Sequence, residues 1–156
     1  MQKITPCLWF DTQAEDAANF YVSLLKDSEV TNVQHVDGTP SGDNVALVFF
    51  QLAGQEFMAI NGGPQFPFTE AVSFTVHCED QDEVDRLWSQ LTADGGEEGQ
   101  CGWLKDRFGL SWQIIPDRMG ELLSDPDPER SQRAMQAMLQ MQKIDVRAME
   151  DAANGS

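Results

Sequence analysis

The chain has 156 residues, 41% of them hydrophobic and four of them Trp, which suits one folded domain with a real core and argues against disorder. Its net charge of −16 repels phosphate backbones and anionic lipid, so nucleic-acid and membrane-surface partners are disfavoured. No apolar run reaches the length of a membrane span, and MQKITPCLWF lacks the apolar segment of a secretory signal, so a cytoplasmic protein is expected.

Residues 2–10 alternate and predict a strand. DTQAEDAANFYVSLL predicts a helix, with Thr12 as N-cap, Glu15 as its capping-box partner, and Ala14, Ala17, Phe20, Tyr21 and Leu24 as the apolar stripe. Residues 29–36 read as a further strand, and turn formers fill 37–44 (DGTPSGDN). Strands at 45–52 and 57–60 are joined through Ala53-Gly54-Gln55 as a hairpin, and NGGPQFPF is a connector without regular structure.

The plan then restarts. AVSFTVHC alternates as a strand, EDQDEVDRLWSQL sets Val84, Leu87, Trp88 and Leu91 at helical spacing, and short strands are expected around 100–104 and 110–115. An Asp-Arg-Phe-Gly turn leads into the last of these, with Gly109 free to take φ > 0. Alternation there sends Leu110, Trp112 and Ile114 to a core, and Ser111 and Gln113 to a less apolar side. Adding 67 carries Ala17, Phe20, Tyr21 and Leu24 onto Val84, Leu87, Trp88 and Leu91; adding 55 carries Gly54 onto Gly109, Met58 onto Gln113 and Ile60 onto Ile115. Two βαβββ halves are the economical reading, the second with shorter loops. After a break at SDPDPE, RSQRAMQAMLQMQKIDVRAMEDA reads as one or two helices with Ala134, Met138, Leu139 and Met141 along one side. Helices this short are marginal in water, so the tail packs on its own domain or across a dimer.

Reactive chemistry is sparse. Cys7, Cys78 and Cys101 are widely spaced with no CxxC, so neither a disulfide framework nor a zinc knuckle is signalled, and inert buried thiols are expected. His77 shares the parity of Ser73 and Thr75, but positions i and i+4 of a strand lie about 13 Å apart, too far for a proton handoff. A rim or hydrogen-bonded histidine is therefore favoured over a general base, and His35 is expected to be exposed. Asp106 and Arg107 are expected to serve the turn through hydrogen bonds or an ion pair, in preference to binding an anion. Trp103 and Trp112 read as core or cavity wall.

Three stretches, LWFDTQAEDAANFYVSLL, DRFGLSWQIIP and the tail SDPD with RAMQAMLQMQKIDVRAME, together resemble the vicinal oxygen chelate superfamily. That superfamily includes glyoxalase I, extradiol dioxygenases, fosfomycin-resistance proteins and bleomycin-binding proteins. More narrowly the chain resembles the PhnB-like family, often labelled a 3-demethylubiquinone-9 3-methyltransferase domain, with the tail as the sharpest pointer. The resemblance implies an α+β domain over 1–118, made of two βαβββ modules, 1–61 and 70–116, side by side around a half-open barrel cup. It also implies a C-terminal helical extension over 119–156, and usually a homodimer. The methyltransferase label finds no support in the residues, because no Gly-rich loop separates a strand from a helix; no cofactor is expected.

Metal-dependent members of the superfamily take ligands from the first and last strand of each half. By position those slots are Pro6, Met58 (with Asn61 as its substitute), Ser73 and Gln113. Proline offers no ligand, a thioether is poor for hard or borderline cations, and Gln and Ser oxygens are neutral, so neither a metal nor a catalytic residue is expected. The expectation is a protein that binds a small molecule in a metal-free cup. Gln113 and Ser73 would orient the ligand, and Met58, Pro6, His77 and Trp112 would line it. The alternatives are an enzyme of lyase, isomerase or dioxygenase type whose metal is held elsewhere, and a dimeric interaction protein with a vestigial cup.

Overall fold

The computed structural model describes residues 2–37 and 45–155, with the backbone alone for Val45 and Ala46. Most of the turn cluster expected at 37–44 lies outside the described residues. The chain divides into two compact units, Met1–Phe68 and Thr69–Ser156.

In the first unit, β1 (Cys7–Phe10), α1 (Ala14–Val22), β2 (Glu29–His35), β3 (Val45–Leu52) and β4 (Gln55–Asn61) give one mixed sheet in the order β1-β4-β3-β2. Strand alternation buries Leu8, Phe10, Val48, Phe50, Phe57 and Ala59 on one face, and α1 covers that face with Ala14, Ala17, Ala18 and Tyr21. Ala18 takes the place expected of Phe20, which is half-buried. β1 is shorter than expected because Gln2 pairs with β4 through its side chain, its Nε2 donating to the Glu56 carbonyl at 3.0 Å and its Oε1 accepting from the Glu56 N–H at 3.1 Å. The hairpin is the two-residue Ala53-Gly54, both with φ > 0 (48° and 84°), so Gln55 already belongs to β4. The Thr12–Glu15 capping box does not form. Instead buried Asn61, at the end of β4, accepts the Ala14 N–H through Oδ1 at 2.8 Å.

The second unit repeats the plan. β5 (Ser73–Cys78), α2 (Gln81–Thr92), a 3₁₀ turn (Ala93–Gly95), β6 (Glu97–Glu98), β7 (Trp103–Lys105) and β8 (Ser111–Pro116) form a sheet in the order β5-β8-β7-β6. α2 begins with two side-chain caps: Asp80, the N-cap, accepts the Glu83 N–H, and Glu83 reaches back to accept the Glu79 N–H, each at 2.9 Å. Its stripe is the expected one, with Val84, Leu87, Trp88 and Leu91 buried alongside Leu104, Trp112 and Ile114.

The register refines the internal repeat. Cys7 pairs with Met58, and Thr75 pairs with Gln113. The first strands therefore correspond at an offset of 68, whereas the helices start 67 apart, because the β5–α2 connection is one residue shorter than the β1–α1 connection. Pro6 thus matches Phe74, and the counterpart of Ser73 is Thr5.

The turn before β8 is built on Asp106, which is 3% exposed. Its Oδ1 accepts the N–H groups of Phe108 (2.9 Å) and Leu110 (3.1 Å), and its Oδ2 accepts the Trp112 Nε1–H (2.8 Å). Gly109, at φ +90°, donates its N–H to the Asp106 carbonyl at 3.0 Å. Arg107 stacks over Phe108 with its guanidinium carbon 4.8 Å from the ring centre.

Three helices follow, α3 (Asp117–Leu123), which was not expected, and α4 (Pro128–Met138) and α5 (Val146–Ala153), which occupy the stretch expected to hold one or two. Leu122, Ala134, Ile144, Met149 and Ala153 make a small core with Met138 and Met141 packed against it, while Leu139 turns outward. This bundle is tied to the second unit: Gln81 donates to the Ile144 carbonyl and accepts the Val146 N–H, both at 2.8 Å. The Cys101 and Gly102 N–H groups donate to Met141 and Gln142, also at 2.8 Å.

Asp106→Ala strands an indole N–H and two backbone N–H groups. With about 1–3 kcal/mol for each buried donor left unpaired, unfolding in urea is expected to show a loss of roughly 3 kcal/mol or more. A loss below about 1 kcal/mol would show that the carboxylate does not hold the turn.

Candidate functional site

On β8 the side chains opposite α2 are Ser111, Gln113 and Ile115. In register they face Ser73, Thr75 and His77 of β5, and Ser111 and Gln113 face Lys105 and Trp103 of β7. Gln113 Nε2 donates to Ser73 Oγ at 2.9 Å, so the structure joins the two residues that the resemblance assigned to orienting a ligand. Ser111 is fully buried, and its Oγ has no hydrogen-bond partner among the described residues. It lines an open cleft of about 280 Å³ together with Glu70, Glu97, Trp103 and Lys105.

Lys105 forms an ion pair with Glu70. The hydrogen bond from Lys105 holds the Glu70 carboxyl below its ordinary range, and the same bond raises the ammonium above its own. The cleft's single Lys or Arg is therefore already committed to a carboxylate.

Other expected site residues are placed differently. Trp112 does not join this face: it is 2% exposed on the α2 side, with its indole N–H given to Asp106. His77 shares the face of Ser73 and is exposed. Pro6 and Met58 meet within the first unit through a Met58 N–H to Pro6 carbonyl bond of 2.9 Å. Thr5, not Pro6, lines a second cleft of about 270 Å³ with Met58, Phe49 and Gln51. Asn61, the substitute for Met58, is used up as the cap of α1.

No group of three or more His, Cys, Asp or Glu side chains among the described residues is placed to hold a metal ion. The side chains at the positions that the sequence resemblance assigns to metal ligands, Thr5 or Pro6, Met58, Ser73 and Gln113, are neutral and do not fit a divalent ion. Among the thiols only Cys78 is buried, while Cys7 is exposed and Cys101 half-buried. Burial pushes the Cys78 thiol up to about 12, which leaves it protonated and unreactive.

Lys105 carries one signal in the sequence. The tight turn at 106–109 sets it opposite Ser111 once the hairpin is drawn. Glu70 and Glu97 reach the cleft from irregular or very short segments and carry no such signal.

A family model described as 3-demethylubiquinone-9 3-methyltransferase matches residues 2–115. The chain belongs to this PhnB-like family. A PhnB protein from Bacillus cereus is 36% identical, with 74% of this chain and 99% of that chain covered at a TM-score of 0.68. Protein PA1353 from Pseudomonas aeruginosa has the same fold at 20% identity, with 75% and 100% covered and a TM-score of 0.61. A gene product of Arabidopsis thaliana does so at 17% identity, with 74% and 98% covered and a TM-score of 0.52. No curated protein matches. The family match ends at 115, so the helical tail of this PhnB-like chain, expected to be the sharpest pointer, lies outside it.

The ion pair gives a signed pH response. Because the Glu70 carboxyl is lowered, the pair is complete at neutral pH and is lost as pH falls through the folded-state value of Glu70. A carboxyl NMR titration is expected to place the Glu70 midpoint below that of an exposed Glu, and Lys105→Met to return it to the ordinary range. An unchanged midpoint in Lys105→Met would remove the pair from the account.

Proposed function

We propose that this PhnB-like chain binds a small organic molecule, without a metal ion, on the open face of its second sheet. The observation that carries this reading is the Ser111 hydroxyl, fully buried, in contact with a cleft and without a partner among the described residues. A buried unpaired hydroxyl costs about 1–3 kcal/mol, and a ligand's hydrogen bond would offset that cost. Beside it Ser73 holds Gln113, whose second N–H and carbonyl oxygen are left to meet a ligand. Trp103 adds apolar area. A few oriented polar groups against an aromatic wall are the usual composition of a small-molecule site.

The methyl transfer named in the family's description is not favoured here. A dinucleotide-type cofactor cradle needs a parallel, doubly wound sheet with a Gly-rich turn at a free helix N-terminus. Both sheets are mixed, and the strand-to-helix connections Asp11-Thr12-Gln13 and Glu79-Asp80 have no glycine. Asn61 and Asp80 already occupy the two helix N-termini. No helix among the described residues is long and apolar enough to cross a membrane.

A thermal-shift screen of small polar aromatics tests the reading, since a ligand that binds only the folded state raises Tm by mass action. Ser111→Ala is expected to leave the free protein at least as stable while weakening a hit roughly fivefold, the equivalent of one lost hydrogen bond. Gln113→Ala is expected to weaken it similarly. Hits that keep full affinity in both variants, or a screen with no hit, would contradict the site.

A further inference from the structure

Resting on the site proposed above, we infer that its ligand carries a positive charge beside a flat ring, as in an arylalkyl amine. The register Glu97–Lys105–Ser111 runs across β6, β7 and β8, so these three side chains form a row on the open face. Glu98 points the other way, accepting the Trp88 Nε1–H at 2.6 Å. Lys105 is the cleft's single cation and is paired with Glu70, so an anionic ligand meets no free positive group. Among the described residues Glu97 forms no ion pair of its own, and it acts on Lys105 through its longer-range field. One carboxylate is thus left over at the mouth, and the net charge of −16 draws cations toward it.

Trp103 stands on the same face of β7, diagonal to Glu97, and such neighbours are about 7–8 Å apart, within reach of aromatic side chains. Across from it is Gly99, whose N–H donates to the Trp103 carbonyl at 2.8 Å. A Cβ at Gly99 would lie 2.8 Å from that oxygen and 3.3 Å from the Trp103 Cβ, so glycine lets the backbones close there. A cation between the indole face and Glu97 gains both cation–π and Coulomb attraction. At the buried end, Ser111 Oγ is a second anchor, suited to a ring hydroxyl or ring nitrogen.

Three probes of one shape separate the terms: tyramine, its neutral alcohol 4-hydroxyphenethyl alcohol, and 4-hydroxyphenylacetate. Binding is followed by NMR at the Trp103 indole N–H of the full chain. Tyramine is expected to bind about tenfold tighter than the alcohol, and the carboxylate not measurably. Glu97→Gln should erase the amine's advantage while leaving alcohol binding intact, and added salt should shrink that advantage. Equal binding of amine and alcohol, tighter binding of the carboxylate, or an advantage that survives Glu97→Gln overturns the charge inference and leaves the site standing. If none of the three moves the Trp103 signal, both the site and the inference fail.

Discussion

A buried carboxylate sets the parity of the strand on which the candidate site stands. Asp106 takes two backbone N–H groups of its own turn and the Trp112 indole N–H, which fixes Trp112 toward α2. Strand side chains alternate strictly, so once Trp112 is fixed, Ser111 and Gln113 must stand on the opposite face. A one-residue slip would exchange the two sets and place the indole in the cleft. The core of the second unit and the polar face of its sheet are therefore consequences of one turn.

Much of this was legible because it is local. The stripe Val84, Leu87, Trp88 and Leu91 follows from periodicity, and the shared face of Ser111 and Gln113 follows from alternation within one short strand. What failed was long-range or depended on chain length between elements. Thr12 and Glu15 have the spacing of a capping box, yet Asn61, 47 positions away from Ala14, supplies the cap. The repeat offset of 67 holds for the helices, but one residue fewer after β5 moves the strands to 68 and exchanges Pro6 for Thr5. α3 carries Gly120 in its interior, where glycine weakens the helical signal, and it was missed.

The thiol held in the core is protonated, the positions that the sequence resemblance assigns to metal ligands are neutral, and both strand-to-helix turns are acidic and lack glycine. Among the described residues the open face holds a hydroxyl with no partner, an oriented carboxamide, an indole wall and one carboxylate in excess. The helical tail adds a brace: it ties α2 to the Cys101-Gly102 loop that leads into Trp103.

The central claim is that the buried Ser111 hydroxyl waits for an acceptor or donor from outside the chain. A crystal structure grown with the tightest-binding aromatic fragment tests this directly. The account predicts fragment density over β7 and β8 with a polar atom within hydrogen-bond distance of Ser111 Oγ. Density elsewhere, with Ser111 Oγ bonded to a protein group instead, would contradict it.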